Sequence, residues 1–410
     1  MDALERAQHL RRHRSGEEGE NRSVFIDPFA IGILGFLLLA CLAPTARAQN
    51  GVPAVDAVVV RDLQAGHVPG AVVVLSLDGR LVYRGAVGSR MIDPIVQPLA
   101  VGDIFDLASL TKVIATTTAI MQLVEAGRID LDRPAALYWP GFAANGKGSI
   151  TVRQLLTHTS GLPPDLDIAS DWRGREAALA LIAAIRPAHA PGEAFVYSDI
   201  NFIVLGELVG RVSGESLDVY ARRHIFQPLG MSDTMFNPPT ARLSQIAPTD
   251  RERGRLRWGE PQDPTAFRMG GVAGHAGLFS TAGDLSRFAR MLLQGGSLDG
   301  VRILRPETVA LMTRAVSLPG GVRSGLGWDV ASPYSACMDQ AFGPQSFGQT
   351  GYTGGLVWLD PATRSFLIVL TSRLHPAGGG DVKPLRLDLA RLVATMVPEP
   401  GRPSAIDCEK

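Results

Sequence analysis

The sequence predicts an α+β fold in which one antiparallel β-sheet, flanked by helices, is built from both ends of the mature chain, with a helical domain inserted between them. Three observations carry this: two β-rich apolar runs joined by Asp78-Gly79 near the start, a second pair joined at residues 360–363 near the end, and helical patterns in between. The chain has 410 residues, 46% hydrophobic and 20% charged, enough apolar material for one large or two medium domains without cross-links.

The first 48 residues read as an address rather than as structure. A basic segment (Arg11, Arg12, Arg14, Arg22) precedes an apolar run at 29–43 that is too short to span a bilayer comfortably, and Ala46-Arg47-Ala48 then supplies an A-x-A cleavage site. Residues 1–48 are therefore expected to be a signal peptide, and the mature protein to be exported to the periplasm. The long, mixed-charge segment before the apolar run leaves a retained membrane anchor open, and Leu38-Leu39-Ala40-Cys41 leaves lipidation of Cys41 open. Only in those two cases is a membrane a partner. Cys337 and Cys408 remain in the mature chain, and their separation in sequence leaves their pairing undecided.

The mature chain begins with an amphipathic helix at 55–63, ending near Gly66. Strands follow at 71–77 and 81–86, and the Asp-Gly pair between them tolerates the positive φ that a tight hairpin requires. Helices are expected at 109–126, stopped by Gly127; at 200–212, stopped before Gly214; and at 285–294, entered through Thr281-Ala282-Gly283-Asp284. Strands at 356–359 and 366–371 and a last helix at 385–396 close the domain. The expected division is a sheet subdomain of about 49–105 and 300–397, a helical subdomain of about 106–299, and a tail at 398–410.

Lys plus Arg equal Asp plus Glu at 40 each, so no global field favours nucleic acid, and a small molecule or peptide is the expected partner. The eight His residues are scattered and no Cys/His group has metal-ligand spacing, so a metal is not expected.

Ser109-Leu110-Thr111-Lys112 places a hydroxyl and an amine on one helical face, beside the free N–H groups of a helix start. Only four of the 40 basic side chains are lysine, so Lys112 departs from the chain's habit in an otherwise uncharged stretch. A desolvated lysine can lose its proton and serve as a base, which arginine cannot. Tyr197-Ser198-Asp199 precedes the 200–212 helix; its phenol suits a proton shuttle, while its plainer reading is aromatic packing with Asp199 as a helix cap. Gln349-Thr350-Gly351 precedes the penultimate strand. Such a strand lets a substrate lie alongside it, and the N–H of Tyr352 is the candidate partner of the Ser109 N–H in an oxyanion hole.

Together these motifs resemble the serine β-lactamase and penicillin-binding-protein superfamily, with an order and spacing similar to class C β-lactamases, their esterase relatives and DD-peptidases. Leu155-Leu156-Thr157-His158-Thr159-Ser160-Gly161-Leu162, Pro228-Leu229-Gly230-Met231 and the stretch at 271–281 belong to the same likeness. The resemblance implies a β-lactamase/transpeptidase-like fold and a cofactor-free serine hydrolase, with Ser109 as nucleophile, Lys112 as its activating amine and Tyr197 as proton shuttle. It implies cell-wall peptide, muropeptide or small-ester substrates, with β-lactams as slow acylators.

Two positions depart from that pattern. Asp199 stands where relatives commonly have Asn and cannot donate to a substrate amide, so Asn201 is the candidate replacement. Gln349 stands where relatives have Lys or His, and Arg373 is the candidate to restore the lost charge. His275 either lines the cleft or bonds to loop backbone, and His158 and Thr159 read as loop-fixing. A peptide- or penicillin-binding module without efficient turnover is the competing functional class.

Overall fold

The computed structural model describes residues 53–335, 338–376 and 379–396. The leader, Cys41, Cys337, Cys408 and the tail at 398–410 lie outside the described residues.

Nine strands form the main sheet: β1 (Gly70–Leu77), β2 (Arg80–Met91), β3 (Gln97–Pro98), β4 (Val316–Ser317), β5 (Arg323–Ser324), β6 (Asp329–Ala331), β7 (Phe347–Thr350), β8 (Leu356–Asp360) and β9 (Ser365–Thr371). Their order is β4-β5-β6-β7-β8-β9-β1-β2-β3, so the two ends of the chain meet at the β9–β1 seam. That seam is antiparallel, with Ala71 opposite Thr371 and Leu75 opposite Leu367. Both expected hairpins are present. Asp78 and Gly79 have φ of 49° and 72°, the conformation their residue types tolerate. At the other turn the Asp360 carboxylate accepts from the Ala362 N–H (2.9 Å) and the Thr363 hydroxyl (2.7 Å).

Strand side chains alternate between two cores. Ala71, Val73, Leu75, Trp358, Leu367 and Val369 face an outer layer made by α1 (Pro53–Gln64) and the last helix (Lys383–Met396). Val72, Val74, Val357, Leu359, Ile368 and Leu370 face the other way, into a core that runs without interruption through the helical region. Burial on both faces explains why these strands read as continuous apolar runs rather than as polar–apolar alternation.

Further helices used below are α2 (Thr118–Glu125), α3 (Asp199–Ser213), α4 (Ala282–Leu293) and α5, the last helix Lys383–Met396. The expected 109–126 helix is a composite: a turn at Ser109, a π-helical segment at Lys112–Thr117, then α2, which ends where Gly127 takes a φ of 68°. α3 is capped by Ser198, whose hydroxyl accepts from the Asn201 N–H, so Asp199 is the first helical residue rather than the cap. α4 packs on β1, β8 and β9, and a three-stranded sheet (Phe105–Asp106, Leu278–Ser280, Met235–Phe236) lies within the stretch expected to be helical. Two- and three-residue strands carry no periodic signal, which is why the pattern missed them.

Candidate active site

Ser109 sits at the entry to the composite helix, after a loop pinned from both sides. Asp106 is fully buried and accepts from the N–H groups of Ala108 (2.9 Å) and Gln262 (2.7 Å). Burial pushes its carboxyl up to about 6 against the pull of those two bonds. Ala108 is held at a φ of 45°, a left-handed conformation costly for a residue with a Cβ and typical of sites whose surroundings over-determine them. From the other side, Thr353 donates to the Asp106 carbonyl (2.7 Å), and a Cβ at Gly351 would lie 2.6 Å from the Leu107 oxygen. Only glycine lets the end of β7 approach the Ser109 loop this closely.

The Lys112 ammonium nitrogen lies 2.9 Å from Ser109 Oγ, 3.2 Å from the His275 carbonyl and 2.6 Å from Asp199 Oδ1. It also stands 4.9 Å from the centre of the Tyr197 ring, and Lys112 and Ser109 both pull the phenol's pKa down. The three groups named from sequence therefore converge. Their charge state differs from the expectation. Burial pulls the Lys112 pKa down, but Asp199 and then Tyr197 outweigh it and hold the amine above its ordinary pKa. The resting amine is an ammonium, not the free base that burial by itself predicts. Burial raises the Tyr197 pKa as well, more than Lys112 lowers it, so the hydroxyl stays protonated.

Beneath Tyr197 lies His158, its ring stacked on the phenol at 4.5 Å and 28°. Its Nδ1 accepts from the Ser198 N–H (3.0 Å), and burial, then Lys112, pushes its pKa down to about 3. His158 thus orders the Tyr197-Ser198-Asp199 turn as a neutral ring, and Thr159 pairs with Thr157 at 2.9 Å within the same loop.

Two substrate-binding assignments are corrected. Asn201 is fully buried, its amide oxygen accepting from Ser160 (2.6 Å), so it offers no amide to the cleft. His275 is fully buried too and neither lines the cleft nor bonds loop backbone through its ring; Nε2 contacts Asp263 Oδ1 at 2.9 Å. Asp199 is spent on Lys112 rather than facing a ligand alone. Asp199, Asp263 and His275 bring ligand-type atoms within 4.8 Å of one another, but Lys112 and the His275–Asp263 bond already engage this group, making it a charge network.

Gln349, Thr350, Gly351 and Tyr352 do line the cleft, in a cavity of about 310 Å³ that also holds Ser109 and Tyr197. The Gln349 side-chain oxygen accepts from the Thr350 N–H (2.9 Å). The backbone N–H groups of Ser109 and Tyr352 make no intramolecular hydrogen bond among the described residues, as oxyanion donors require. Arg373 lines the same cavity, stacked 4.4 Å from the Tyr352 ring and donating to the carbonyls of Tyr352 (2.6 Å) and Gly380 (2.8 Å).

Sequence reasoning missed Arg386 on α5, which reaches the cavity and donates to the carbonyls of Gly351 (3.1 Å) and Gly355 (2.8 Å). Burial and the neighbouring Arg373 push it down to about 10. It missed Tyr334 as well, whose ring packs on Tyr197 at 5.1 Å. Neither lies in a motif, so no local signal marked them.

The family model described as Beta-lactamase matches residues 55–392. The chain belongs to the Beta-lactamase family. A protein of Escherichia coli K12, provisionally named a D-alanyl-D-alanine carboxypeptidase, is 34% identical over 339 residues, covering 73% of this chain and 77% of that protein. Among solved structures, a penicillin-binding-protein homologue from Caulobacter crescentus is 25% identical with a TM-score of 0.67, covering 83% of this chain and 97% of its own. A class C β-lactamase from Rhodobacter sphaeroides shares the fold at 20% identity and a TM-score of 0.67, covering 84% and 99%. The family places the chain among serine hydrolases of the β-lactamase and DD-peptidase type, with antiparallel sheet and flanking helices as expected.

Proposed function

We propose that this protein is an exported serine acyl-hydrolase that forms a covalent acyl-enzyme on Ser109 and acts on carboxylate-bearing cell-wall-type peptides or small esters, without a cofactor. The observation that carries the reading is the 2.9 Å contact between Lys112 Nζ and Ser109 Oγ, with the Tyr197 ring centred 4.9 Å from the same nitrogen.

In the proposed cycle Ser109 Oγ bonds to the substrate carbonyl carbon as its proton passes to Lys112, which gives a proton of its own to Asp199. The N–H groups of Ser109 and Tyr352 receive the negative oxygen. Tyr197 then protonates the departing nitrogen or oxygen and is resupplied through Lys112 from Asp199. Water attacks the acyl-enzyme, and its proton returns to Ser109 by the same route.

The choice of a carboxylate-bearing substrate is supported by Arg373 and Arg386, both lining the cavity, which offset the missing cation at Gln349. The relative named for D-alanyl-D-alanine carboxypeptidase activity supports the peptide class, and the A-x-A site at 46–48 supports export.

A second reading, a penicillin- or peptide-binding module without efficient turnover, is favoured by the ion pair that keeps Lys112 protonated. Labelling with a fluorophosphonate or a fluorescent β-lactam, alongside turnover of p-nitrophenyl acetate, separates the two. The hydrolase reading expects labelling and turnover, both lost in Ser109→Ala; labelling without turnover favours the binding module, and no labelling at all refutes both. Mass spectrometry of the mature terminus tests export, with Gln49 the expected first residue.

A further inference from the structure

Asp106 stands three residues before Ser109 and is tied to separate segments of the chain. One carboxylate oxygen accepts from the Ala108 N–H (2.9 Å) and the other from the Gln262 N–H (2.7 Å). Its backbone carbonyl accepts from the Thr353 hydroxyl (2.7 Å). The proposed cycle uses none of these bonds.

The residue type at this position is informative. A buried carboxylate is costly, and among the described residues no cation pairs with Asp106: Arg257 and His275 pair instead with Asp250 and Asp263, the two carboxylates that join burial in raising its pKa. Only an acceptor-only side chain with two oxygens can take one N–H on each. An asparagine would turn its own NH₂ group toward one of the two donors.

The attachments bear on the two halves of the oxyanion hole. Ala108 is held at a φ of 45°, where a residue with a Cβ has one small allowed range of ψ, so the direction of the next N–H, that of Ser109, is fixed with it. The N–H groups that follow, of Leu110, Thr111 and Lys112, are spent on the carbonyls of Leu107, Ala108 and Ser109. On the opposite side Tyr352 sits in a turn closed by bonds from the Gly351 N–H to the Gly355 carbonyl (2.8 Å) and from the Gly354 N–H to the Gly351 carbonyl (3.0 Å). Within that turn Thr353 is fixed twice, its hydroxyl on Asp106 and its carbonyl on the Arg373 N–H (2.9 Å). Tyr352 directly precedes it, so the place of the Tyr352 N–H relative to Ser109 is set through the Asp106 main chain.

We propose that Asp106 is a positioning residue that joins the two halves of the oxyanion hole: its carboxylate directs the Ser109 N–H through Ala108, and its carbonyl docks the Tyr352 turn through Thr353. This rests on the acyl-hydrolase reading above. Asp106 is buried and lies outside the cleft lining, so it acts by keeping two donors aimed at one point, which counts most when negative charge collects there.

The experiment has one arm without turnover and one with it. In ¹⁵N-labelled mature protein, protonation of Asp106 should move the amide signals of Ala108, Gln262, Ser109 and Tyr352 with a shared midpoint at about pH 6, and the movement should vanish in Asp106→Asn. Thr353→Val keeps the side-chain shape and removes the bond to the Asp106 carbonyl, so it should abolish the Tyr352 response alone. A Ser109 or Tyr352 signal that does not follow Ala108, or a Tyr352 response that survives Thr353→Val, overturns the proposal. The wild-type titration and Thr353→Val stay readable if Asp106→Asn does not fold.

In the second arm, losing an oxyanion donor outright costs about a hundredfold or more in rate, so misaiming one in Thr353→Val is expected to lower kcat/KM for p-nitrophenyl acetate by about tenfold. Phenylboronic acid, whose tetrahedral adduct with Ser109 places an oxygen of the anion at the same point, should bind more weakly by a similar factor. A fall in kcat/KM without the matching fall in boronic acid affinity marks a merely structural role and overturns the proposal, as does no fall in either. A wild type that does not turn over p-nitrophenyl acetate sinks the hydrolase reading by itself, and the amide titration then decides whether Asp106 couples the two peptides.

Discussion

Lys112 and Lys147 are both fully buried, yet their surroundings make them opposite kinds of residue. Lys147 has no carboxylate; its ammonium donates to three backbone carbonyls, Ala144 (2.6 Å), Ala183 (2.9 Å) and Ile185 (2.6 Å). It thereby ties the 140–147 turn to the end of the helix Arg175–Ala184, where unpaired carbonyls favour a cation. Burial lowers its pKa. Lys112 instead meets Asp199, Tyr197 and a serine hydroxyl, and its pKa is raised. At these two of the chain's four lysines a compact, three-donor cation is what the surroundings accommodate, as a structural tie at Lys147 and as the partner of Ser109 at Lys112.

The sharpest way to break the comparison is Lys112→Arg, which keeps the charge and removes the reversible proton. It is expected to lower kcat for p-nitrophenyl acetate by about a thousandfold or more while the circular dichroism spectrum is retained. Loss of less than tenfold would place Lys112 with Lys147 as a structural cation. Lys147→Met should do the reverse: stability falls by about 2–3 kcal/mol in urea titration, because three carbonyls lose their donor, and kcat per folded molecule stays within twofold.

Asp199→Asn sharpens the contrast from the electrostatic side. Removing the carboxylate that receives the Lys112 proton in the proposed cycle should lower kcat/KM at pH 7 by about tenfold or more and leave an acidic limb that rises only as Lys112 itself deprotonates. An unmoved limb would detach Asp199 from the base.

The smallest effect concerns the neighbouring His275–Asp263 pair. Burial opposes its charges, but the pair's mutual attraction prevails: His275 is raised above 6.5 and Asp263 is lowered from 3.8 to about 2. The His275 contribution is complete below pH 6.5 and is lost as pH rises through its folded-state value; that of Asp263 is present above 3.8 and is lost as pH falls towards 2. Thermal unfolding across pH should show a plateau between these limits, flattened in His275→Gln by about 1 kcal/mol between pH 6 and pH 9.

Much of the fold was legible because its signals are local. Asp78-Gly79 and the 360–363 turn specify hairpins through the φ values and side-chain bonds of their own residues, and Gly127 and Gly214 stop helices by taking positive φ. The Ser109–Lys112 spacing likewise brings two side chains together within one helical turn. The π-helical segment escaped notice because its six residues have the same apolar character as an α-helix. The short strands at 105–106, 235–236 and 278–280 escaped because pairing partners far along the chain create them.

By itself, then, the sequence determined the two hairpins, the helix ends and the presence of a hydroxyl, an amine and a phenol in the order of a serine hydrolase. The tertiary structure decided that Lys112 is charged, that Asn201 and His275 turn inward, and that Arg373 and Arg386 reach the cleft. The first set depends on contacts a few residues apart, which chain geometry enforces. The second depends on desolvation and on charges brought in from distant segments, such as Asp199 beside Lys112, and those exist only once the core has closed.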